Sequence, residues 1–259
     1  MRSRRATAVL LFAALLQATG CAQEAVGPGP RAPLPGTTVQ PPGDHPNAQH
    51  QAADRAPASA AAPLDDDHLG RPVSDVYDGD LSIFEEAGRA EAMSIERVMD
   101  VLDVRPGAVV ADVGAGSGWL TVRAARRVSP GGKVLAVEIN RAYLAHIEAR
   151  ARSERLANVV PVLGTADDPR LPPDSIDVVV LLKTYHELQR PLTVARHLFA
   201  SLRRGGRLAV IDRNGNGGDH GVDSATVVRE LGSVGFVPAG EHDFVRSDRV
   251  DYLLVFTRP

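Results

Sequence analysis

Short apolar runs recur along the second half of the chain, at the intervals that strand, helix and strand units need. Five such runs are rich in Val, Ile, Leu and Ala. A continuous apolar run is typical of a strand that is covered on both faces, so the pattern predicts a parallel sheet between layers of helices. The predicted strands are 109–113, 132–140, 158–163, 175–182 and 207–211.

Helical periodicity and polar boundaries predict the elements around these strands. Amphipathic segments predict helices over Leu81–Leu102, Pro191–Leu202 and Ser224–Ser233, the last with Asp223 or Ser224 as its N-cap. The RRGG sequence at 203–206 is typical of a helix end, where basic residues are favourable and Gly follows. Two further strands, near 236–244 and 252–257, predict a terminal hairpin.

A glycine-rich turn follows the first predicted strand. The sequence VVADVGAGSGWL over 109–120 carries an apolar strand directly into three alternating glycines and then into a helix. Glycine lets the backbone turn sharply and approach a ligand closely, and the turn predicts a nucleotide-cofactor site with backbone N–H groups facing the ligand. Dinucleotide folds favour G-x-G-x-x-G, but the position of the third glycine is occupied by Trp119.

On these residues, the stretch from about Phe84 to Thr257 resembles a class I S-adenosylmethionine-dependent methyltransferase, with Asp112–Gly118 as the first motif of the family. The resemblance implies a Rossmann-like three-layer α/β/α sandwich, whose seven-stranded, mostly parallel sheet ends in an antiparallel C-terminal hairpin. It implies S-adenosylmethionine as the cofactor, with Asp112 near the cofactor's ammonium group. The residues expected around the amino-acid end of the cofactor are Gly114, Ala115, Gly116 and Gly118.

Acidic residues follow the next two predicted strands. Glu138 ends the second strand, where a carboxylate can accept hydrogen bonds from both ribose hydroxyls, and NAD-binding folds use an acid at the same place. After the third strand come Asp167 and Asp168, and the resemblance implies that one of them bonds the adenine amino group. We favour Asp167 over Asp168, although Asp-Pro sequences also occur in ordinary turns.

Polar residues after the fourth strand are expected at the ligand edge of the sheet. Tyr185 and His186 are the candidate catalytic residues, with His186 as a substrate-binding group or base. A zinc-protease H-E-x-x-H motif is excluded because Arg190 stands where the second histidine would be. No metal site is predicted. The helix predicted over Leu81–Leu102 is expected to lie over the cofactor as a lid.

Charge argues against a nucleic-acid substrate. The formal net charge is -3, without the basic excess that nucleic-acid binding normally requires. The N/D-P-P-Y/F signature of the adenine- and cytosine-modifying branches is also replaced, by KTYH at 183–186. We therefore expect no nucleic-acid partner.

The N-terminal region predicts export. A basic start, an apolar stretch over Ala8–Leu16 and small residues before Cys21 indicate a lipoprotein-type signal peptide over 1–21, with lipidation of Cys21, the only cysteine. Residues 22–70 are rich in Pro, Ala and Gly and predict a disordered tether, which leaves 71–259 as one domain. The expected location is the cell envelope, with a lipid anchor in the membrane. A downstream translation start would make the protein cytoplasmic instead.

The predicted function is methyl transfer from S-adenosylmethionine to a small-molecule, lipid or envelope-associated acceptor. Two alternatives stay open. One is a membrane-tethered nucleoside- or nucleotide-binding module without catalytic activity. The other is an NAD-linked oxidoreductase, which the missing third glycine and the terminal hairpin disfavour.

Overall fold

The computed structural model describes residues 72–216, 220–245 and 250–259. The predicted signal peptide, the Cys21 lipidation site and the tether lie outside the described residues. Within the described ranges, no helix is long and apolar enough to cross a membrane.

Seven strands form one mixed sheet in the order β3-β2-β1-β4-β5-β7-β6. Neighbouring strands from β3 to β5 pair in parallel, whereas β7 pairs antiparallel with both β5 and β6. The predicted mostly parallel sheet with an antiparallel C-terminal hairpin is therefore confirmed. The strands are β1 (Val109–Val113), β2 (Lys133–Glu138), β3 (Val159–Leu163), β4 (Ile176–Leu182), β5 (Leu202–Arg213), β6 (Val237–His242) and β7 (Asp251–Thr257).

Helices cover both faces of the sheet because successive side chains of the central strands point in opposite directions. On one face, Val110 and Val134 are buried with residues of α2 and α3. On the same face, Ile147 of α4 packs against Ala136 of β2. On the other face, Ala111 is buried with residues of α5 and α6. The helices are α1 (Arg89–Ala92), α2 (Ile95–Val101), α3 (Trp119–Val128), α4 (Arg141–Ser153), α5 (Pro191–Ser201) and α6 (Ser224–Val234), with 3-10 turns at Leu81–Glu85 and Tyr185–Glu187.

The prediction of a single helix over Leu81–Leu102 is wrong. The segment forms a 3-10 turn followed by α1 and α2, because Gly88 and Ser94 both adopt positive φ angles (82° and 47°) that interrupt an α-helix. The C-terminal part of the segment is buried through Ile95, Val98 and Met99, whereas Ile83 near its start is 56% exposed.

The end of α5 also differs from the prediction. Leu202 already belongs to β5, and the RRGG sequence at 203–206 lies within that strand. The basic group that lies against the end of α5 comes from Arg258, which follows β7. Its guanidinium donates hydrogen bonds to the carbonyl oxygens of Leu202 and Ala200. Arg258 also pairs with Asp174. The helix end is thus completed by a residue from the end of the chain.

Helix α6 begins as one of the two predicted alternatives. Asp223 is the N-cap, and its Oδ2 accepts a hydrogen bond from the backbone N–H of Thr226 at 3.1 Å. Gly235 ends the helix in the left-handed conformation, with φ 111°.

Candidate functional site

A cleft of about 1130 Å³, counting the solvent at its mouth, lies at the carboxyl ends of β1, β2 and β4. Ligands of open α/β sheets bind at this edge, where polar residues that follow different strands come together. Its walls contain the glycine turn, Asp112, Glu138 and the residues that follow β4.

The glycines of the turn are required for two reasons. Gly114, Gly116 and Gly118 all have positive φ angles (75°, 53° and 73°), which residues with a side chain rarely adopt. A Cβ on Gly114 would also lie 2.4 Å from Thr184 Oγ1, and one on Gly118 would lie 3.2 Å from the Ile147 side chain. The turn therefore keeps the cleft open and lets α3 begin close to α4.

Several backbone N–H groups of the turn are bonded within the protein. Those of Gly114 and Ala115 both donate to the carbonyl oxygen of Val137 at 3.0 Å, and that of Gly116 donates to Glu138 Oε2 at 2.9 Å. These three groups therefore bond within the protein, and the expectation that N–H groups at the start of α3 face a ligand stays a prediction. The three hydrogen bonds tie the turn to the end of β2.

Glu138 lies in the cleft wall with its carboxylate held in place. Oε1 accepts hydrogen bonds from the N–H groups of Ile139 and Asn140 at 2.7 and 2.9 Å, in addition to the bond from Gly116 to Oε2. The residue is 7% exposed and lines the cleft. Three backbone donors fix the orientation of the carboxylate, so it presents its remaining acceptor capacity to the cleft without reorganisation.

Asp112 is a buried carboxyl on the cleft, 2% exposed. Thr121 Oγ1 donates a hydrogen bond to its Oδ2 at 2.6 Å. Burial, together with the nearby negative charge of Glu138, raises the pKa of Asp112 to about 6 even though Thr121 favours the charged form. Such a carboxylate is stabilised by a cation entering the cleft.

The predicted adenine-binding acids do not line the cleft. Asp167 pairs with Arg190 at 3.3 Å, and Asp168 accepts a hydrogen bond from the N–H of Arg170 at 2.7 Å. The residues of this loop that do line the cleft are Thr165, Ala166 and Pro169.

Tyr185 also lies outside the cleft, so its assignment as a catalytic residue is corrected. Its side chain is 1% exposed in the core beneath α5 and α6, and its hydroxyl donates to Glu230 Oε2 at 2.8 Å. The 3-10 turn at Tyr185–Glu187 has about three residues per turn, so the three successive side chains point in different directions.

His186 is buried behind the cleft wall. It is 4% exposed, and its Nδ1 lies 2.9 Å from Oδ1 of Asp212, a carboxylate at the end of β5 with no exposed surface. The backbone N–H of His186 also donates to Asp212 Oδ2 at 3.1 Å. The structure therefore places His186 in a histidine–aspartate pair, and the sequence reasoning missed its aspartate.

Glu187 is the member of the turn that lines the cleft. Its Oε1 lies 3.8 Å from Nε2 of His186, and its side chain is 17% exposed. Burial raises the pKa of Glu187 to about 7, against the opposing effects of His186 and of a hydrogen bond from the backbone of Tyr77. A carboxyl with this pKa can gain or lose a proton near neutral pH.

Residues 76–89, called the N-terminal segment below, close one side of the cleft. Tyr77, Phe84 and Arg89 line it, in part agreement with the predicted lid. Tyr143 on α4 donates to the carbonyl oxygen of Gly79 at 2.7 Å, which attaches the segment to the domain.

Trp119, at the start of α3, lies between two guanidinium groups. Arg89 is 4.4 Å and Arg123 is 4.0 Å from the centre of its ring. Arg89 also donates to the carbonyl oxygen of Phe84 at 2.6 Å. Stacking between cations and a partly desolvated indole is favourable, so this arrangement helps to hold the N-terminal segment over the cleft.

Two signals in the sequence could have identified the missed residues. Asp212 follows the apolar part of β5, and the same rule about strand ends that indicated Glu138 applies to it. Glu187 stood next to the chosen histidine. The positions of Arg89 and Phe84 had no comparable local signal, because they depend on how the N-terminal segment folds back.

The fold and the site define a Rossmann-like α/β domain with a glycine turn and two strand-end carboxylates at a cofactor cleft. Residues 110–206 match the family model described as a methyltransferase domain. Solved structures with this fold include a SAM-dependent methyltransferase from Aquifex aeolicus, with a TM-score of 0.63 and 20% identity, covering 70% of this chain and all of the other. The [4+2]-cyclase SpnF shares the fold, with a TM-score of 0.59 and 16% identity over 73% of this chain and 86% of its own.

Among curated relatives, nocamycin O-methyltransferase from Saccharothrix syringae is 40% identical over 83 residues, or 32% of this chain and 30% of the relative. A ubiquinone/menaquinone biosynthesis C-methyltransferase from Vibrio campbellii is 30% identical over 115 residues, or 44% of each chain. The chain thus spans less than half the length of these relatives. Together the comparisons show that residues 110–206 are similar to methyltransferase domains and that the chain shares its fold with an S-adenosylmethionine-dependent methyltransferase.

Proposed function

We propose that the protein binds S-adenosylmethionine in the cleft and transfers its methyl group to an acceptor. The observation that carries this proposal is the convergence of Asp112 and Glu138, both buried, on a cleft bounded by the glycine turn. In this proposal Asp112 pairs with the ammonium group of the cofactor, and Glu138 accepts hydrogen bonds from the ribose hydroxyls. Charge-assisted hydrogen bonds of this kind are each worth about 1.5 to 3 kcal/mol.

Methyl transfer requires little further machinery. The sulfonium is already a good leaving group, so holding the nucleophile in line with the methyl group provides much of the rate enhancement. The rest of the cleft is lined mainly by apolar and aromatic residues, including Val76, Phe84, Ile139 and Leu188. This lining favours an apolar or amphipathic small molecule or lipid as the acceptor.

The names of the curated relatives favour a small-molecule acceptor. They refer to nocamycin and to ubiquinone and menaquinone biosynthesis. If the N-terminal signal is used as predicted, the acceptor is an envelope metabolite or lipid and the domain is held at the membrane by lipidated Cys21.

Calorimetric titration of the full chain with S-adenosylmethionine, S-adenosylhomocysteine and NAD tests the proposal. We expect micromolar binding of the first two ligands, loss of that binding in Gly116→Val, and none of NAD. A valine at a position with φ 53° is strained and places bulk against Phe84 in the cleft. Selective binding of NAD by the wild-type chain would instead support the oxidoreductase alternative.

One observation favours the alternative of a non-methylating protein. The shared fold with a cyclase shows that this architecture is compatible with a different reaction. Cofactor binding without methyl transfer in a screen of envelope metabolites and lipids would favour a binding module.

The predicted lipid anchor is tested independently by radiolabelled palmitate. We expect the chain to incorporate the label and Cys21→Ser to lose it.

A further inference from the structure

Three ionisable side chains from two elements lie in series from the buried core to the cleft. Asp212 lies deepest, His186 contacts it through Nδ1 at 2.9 Å, and Glu187 lies 3.8 Å from Nε2 of the same imidazole. Only Glu187 lines the cleft. The series therefore connects a buried carboxylate with the space in which the ligand binds.

The buried end of this series is rigid. Asp212 accepts hydrogen bonds from the backbone N–H groups of His186 and Arg213, at 3.1 and 2.8 Å. It thereby holds the imidazole with Nδ1 toward β5 and Nε2 toward Glu187. The ring of His220 contacts the His186 ring edge-on, with centroids 5.8 Å apart. The imidazole is thus positioned by groups that have no direct access to the cleft.

We propose that Glu187 accepts the proton that the methyl acceptor loses during transfer, and that His186 and Asp212 are positioning residues behind it. This inference rests on the proposed function. It also assigns the substrate class, since it requires an acceptor whose nucleophilic atom carries a proton, such as a hydroxyl, an amine or an activated carbon.

The step balances without another reactant. The acceptor atom forms a bond to the methyl carbon, and the carbon–sulfur bond breaks with its electron pair moving to sulfur, which becomes a neutral thioether. The proton of the acceptor passes to a carboxylate oxygen of Glu187, whose side chain is 17% exposed and can release it to solvent. His186 Nε2 lies 3.8 Å from Oε1, too far for a hydrogen bond, and acts on the carboxylate through its charge. One positive charge leaves the sulfonium as one proton is released.

Electrostatics around Glu187 favour this sequence of events. Burial and the negative charges of Asp212 and Glu138 oppose its ionisation, whereas His186 and the backbone N–H of Tyr77 support it. The other ionisable groups that line the cleft are Asp112, Arg89, Lys183, Tyr77 and Tyr143. A sulfonium cation in the cleft favours the carboxylate form, and its neutralisation at methyl transfer favours the carboxylic acid.

The inference can be tested without a known acceptor by measuring how many protons the protein releases or takes up when the cofactor binds. The full chain is titrated at pH 7 with S-adenosylmethionine and with S-adenosylhomocysteine, in two buffers of different ionisation enthalpy. With a pKa of about 7 in the empty cleft, Glu187 is about half protonated at this pH. We expect the sulfonium ligand to release up to about half a proton more than the thioether ligand, because only the sulfonium carries the extra charge.

The informative quantity is the difference in the number of protons released when the two ligands bind. Both carry the same ammonium group, so a proton released from Asp112 cancels in the comparison. We expect the difference to disappear in Glu187→Gln and to persist in Glu148→Gln, a matched change at an exposed carboxylate on α4 that does not line the cleft. Asp212→Asn should keep the fold but shift the pH at which the difference in proton release between the two ligands is largest.

Each result has a distinct meaning. Failure of the wild-type chain to bind either ligand overturns the proposed function. Binding of both ligands with equal proton release, or a difference that persists in Glu187→Gln, overturns the role of Glu187 and leaves the cofactor assignment intact. Thermal unfolding of Glu187→Gln at the wild-type temperature confirms that the variant is folded.

Discussion

The backbone N–H of Gly116 donates a hydrogen bond to Glu138 Oε2 at 2.9 Å, which joins the glycine turn to the acid at the end of the neighbouring strand. The two residues that the sequence assigns to the amino-acid end and to the ribose of one cofactor are therefore also bonded to each other. A change in the acid is expected to affect both the ribose contact and the position of the turn.

We expect Glu138→Ala to weaken S-adenosylhomocysteine binding by at least about tenfold. The substitution removes the proposed charge-assisted bonds to the ribose, each worth about 1.5 to 3 kcal/mol, and releases three backbone N–H groups. Calorimetric titration measures the change, with Glu148→Ala as the matched control on the exposed face of α4. Equal affinity of Glu138→Ala and the wild-type chain would show that the ribose assignment is wrong.

Cofactor binding is expected to weaken as pH falls below about 6. Asp112 has a pKa of about 6 in the empty site, so below that pH it must lose a proton before it can pair with an ammonium group. The dissociation constant should rise by up to about tenfold per pH unit from this group. Titrations of the wild-type chain and Asp112→Asn between pH 5 and 8 test this, since the variant should bind weakly with a flatter profile.

Asp112→Asn is also expected to stabilise the empty protein at neutral pH. The pKa of Asp112 is higher in the folded chain than the ordinary 3.8, so the folded state holds the proton more tightly and loses stability as pH rises from about 4 to about 6. A shift of that size corresponds to a cost on the order of 3 kcal/mol at pH 7. Thermal unfolding at pH 4 and pH 8 should show the gain only at the higher pH; a gain of the same size at both would contradict the role of ionisation.

Gly114→Ala is expected to weaken ligand binding, and a second change should partly restore it. The added Cβ would lie 2.4 Å from Thr184 Oγ1 and 2.5 Å from its Cγ2. Thr184→Ala removes both atoms but keeps the Cβ of residue 184, 3.0 Å from the added Cβ. The strain of a non-glycine residue at φ 75° also remains and costs roughly 1 to 2 kcal/mol, so the restoration is partial. Binding by Gly114→Ala, Thr184→Ala and the double variant forms a double-mutant cycle, and additive losses would rule out the steric explanation.

The single tryptophan should report on the N-terminal segment. We expect Arg89→Ala to increase acrylamide quenching of Trp119 fluorescence, because Arg89 covers the ring on the cleft side and bonds the carbonyl of Phe84. Arg126→Ala, at an exposed arginine of α3 that pairs with Glu154, serves as the control. S-adenosylhomocysteine should reduce quenching in the wild-type chain; no ligand effect would place the ligand away from Trp119.

The sequence by itself determined the strands, the glycine turn and the acids at strand ends. Five apolar runs predicted the parallel strands, two further segments predicted the terminal hairpin, and Asp223 was one of two expected caps. These features depend on periodicity and on neighbours close in the chain. Asp112 and Glu138 line the cleft because the carboxyl ends of adjacent parallel strands meet at one edge. Glycines at 114, 116 and 118 were predicted at a tight turn, and all three have positive φ angles.

Only the tertiary structure decided where side chains after a strand point and which distant residues complete an element. Tyr185, His186 and Glu187 are consecutive, yet they face the core, Asp212 and the cleft respectively, because a 3-10 turn rotates each side chain away from the last. Helix α5 ends against Arg258, 56 residues after Leu202 in the chain. Such contacts join residues far apart in sequence, so no local pattern specifies them.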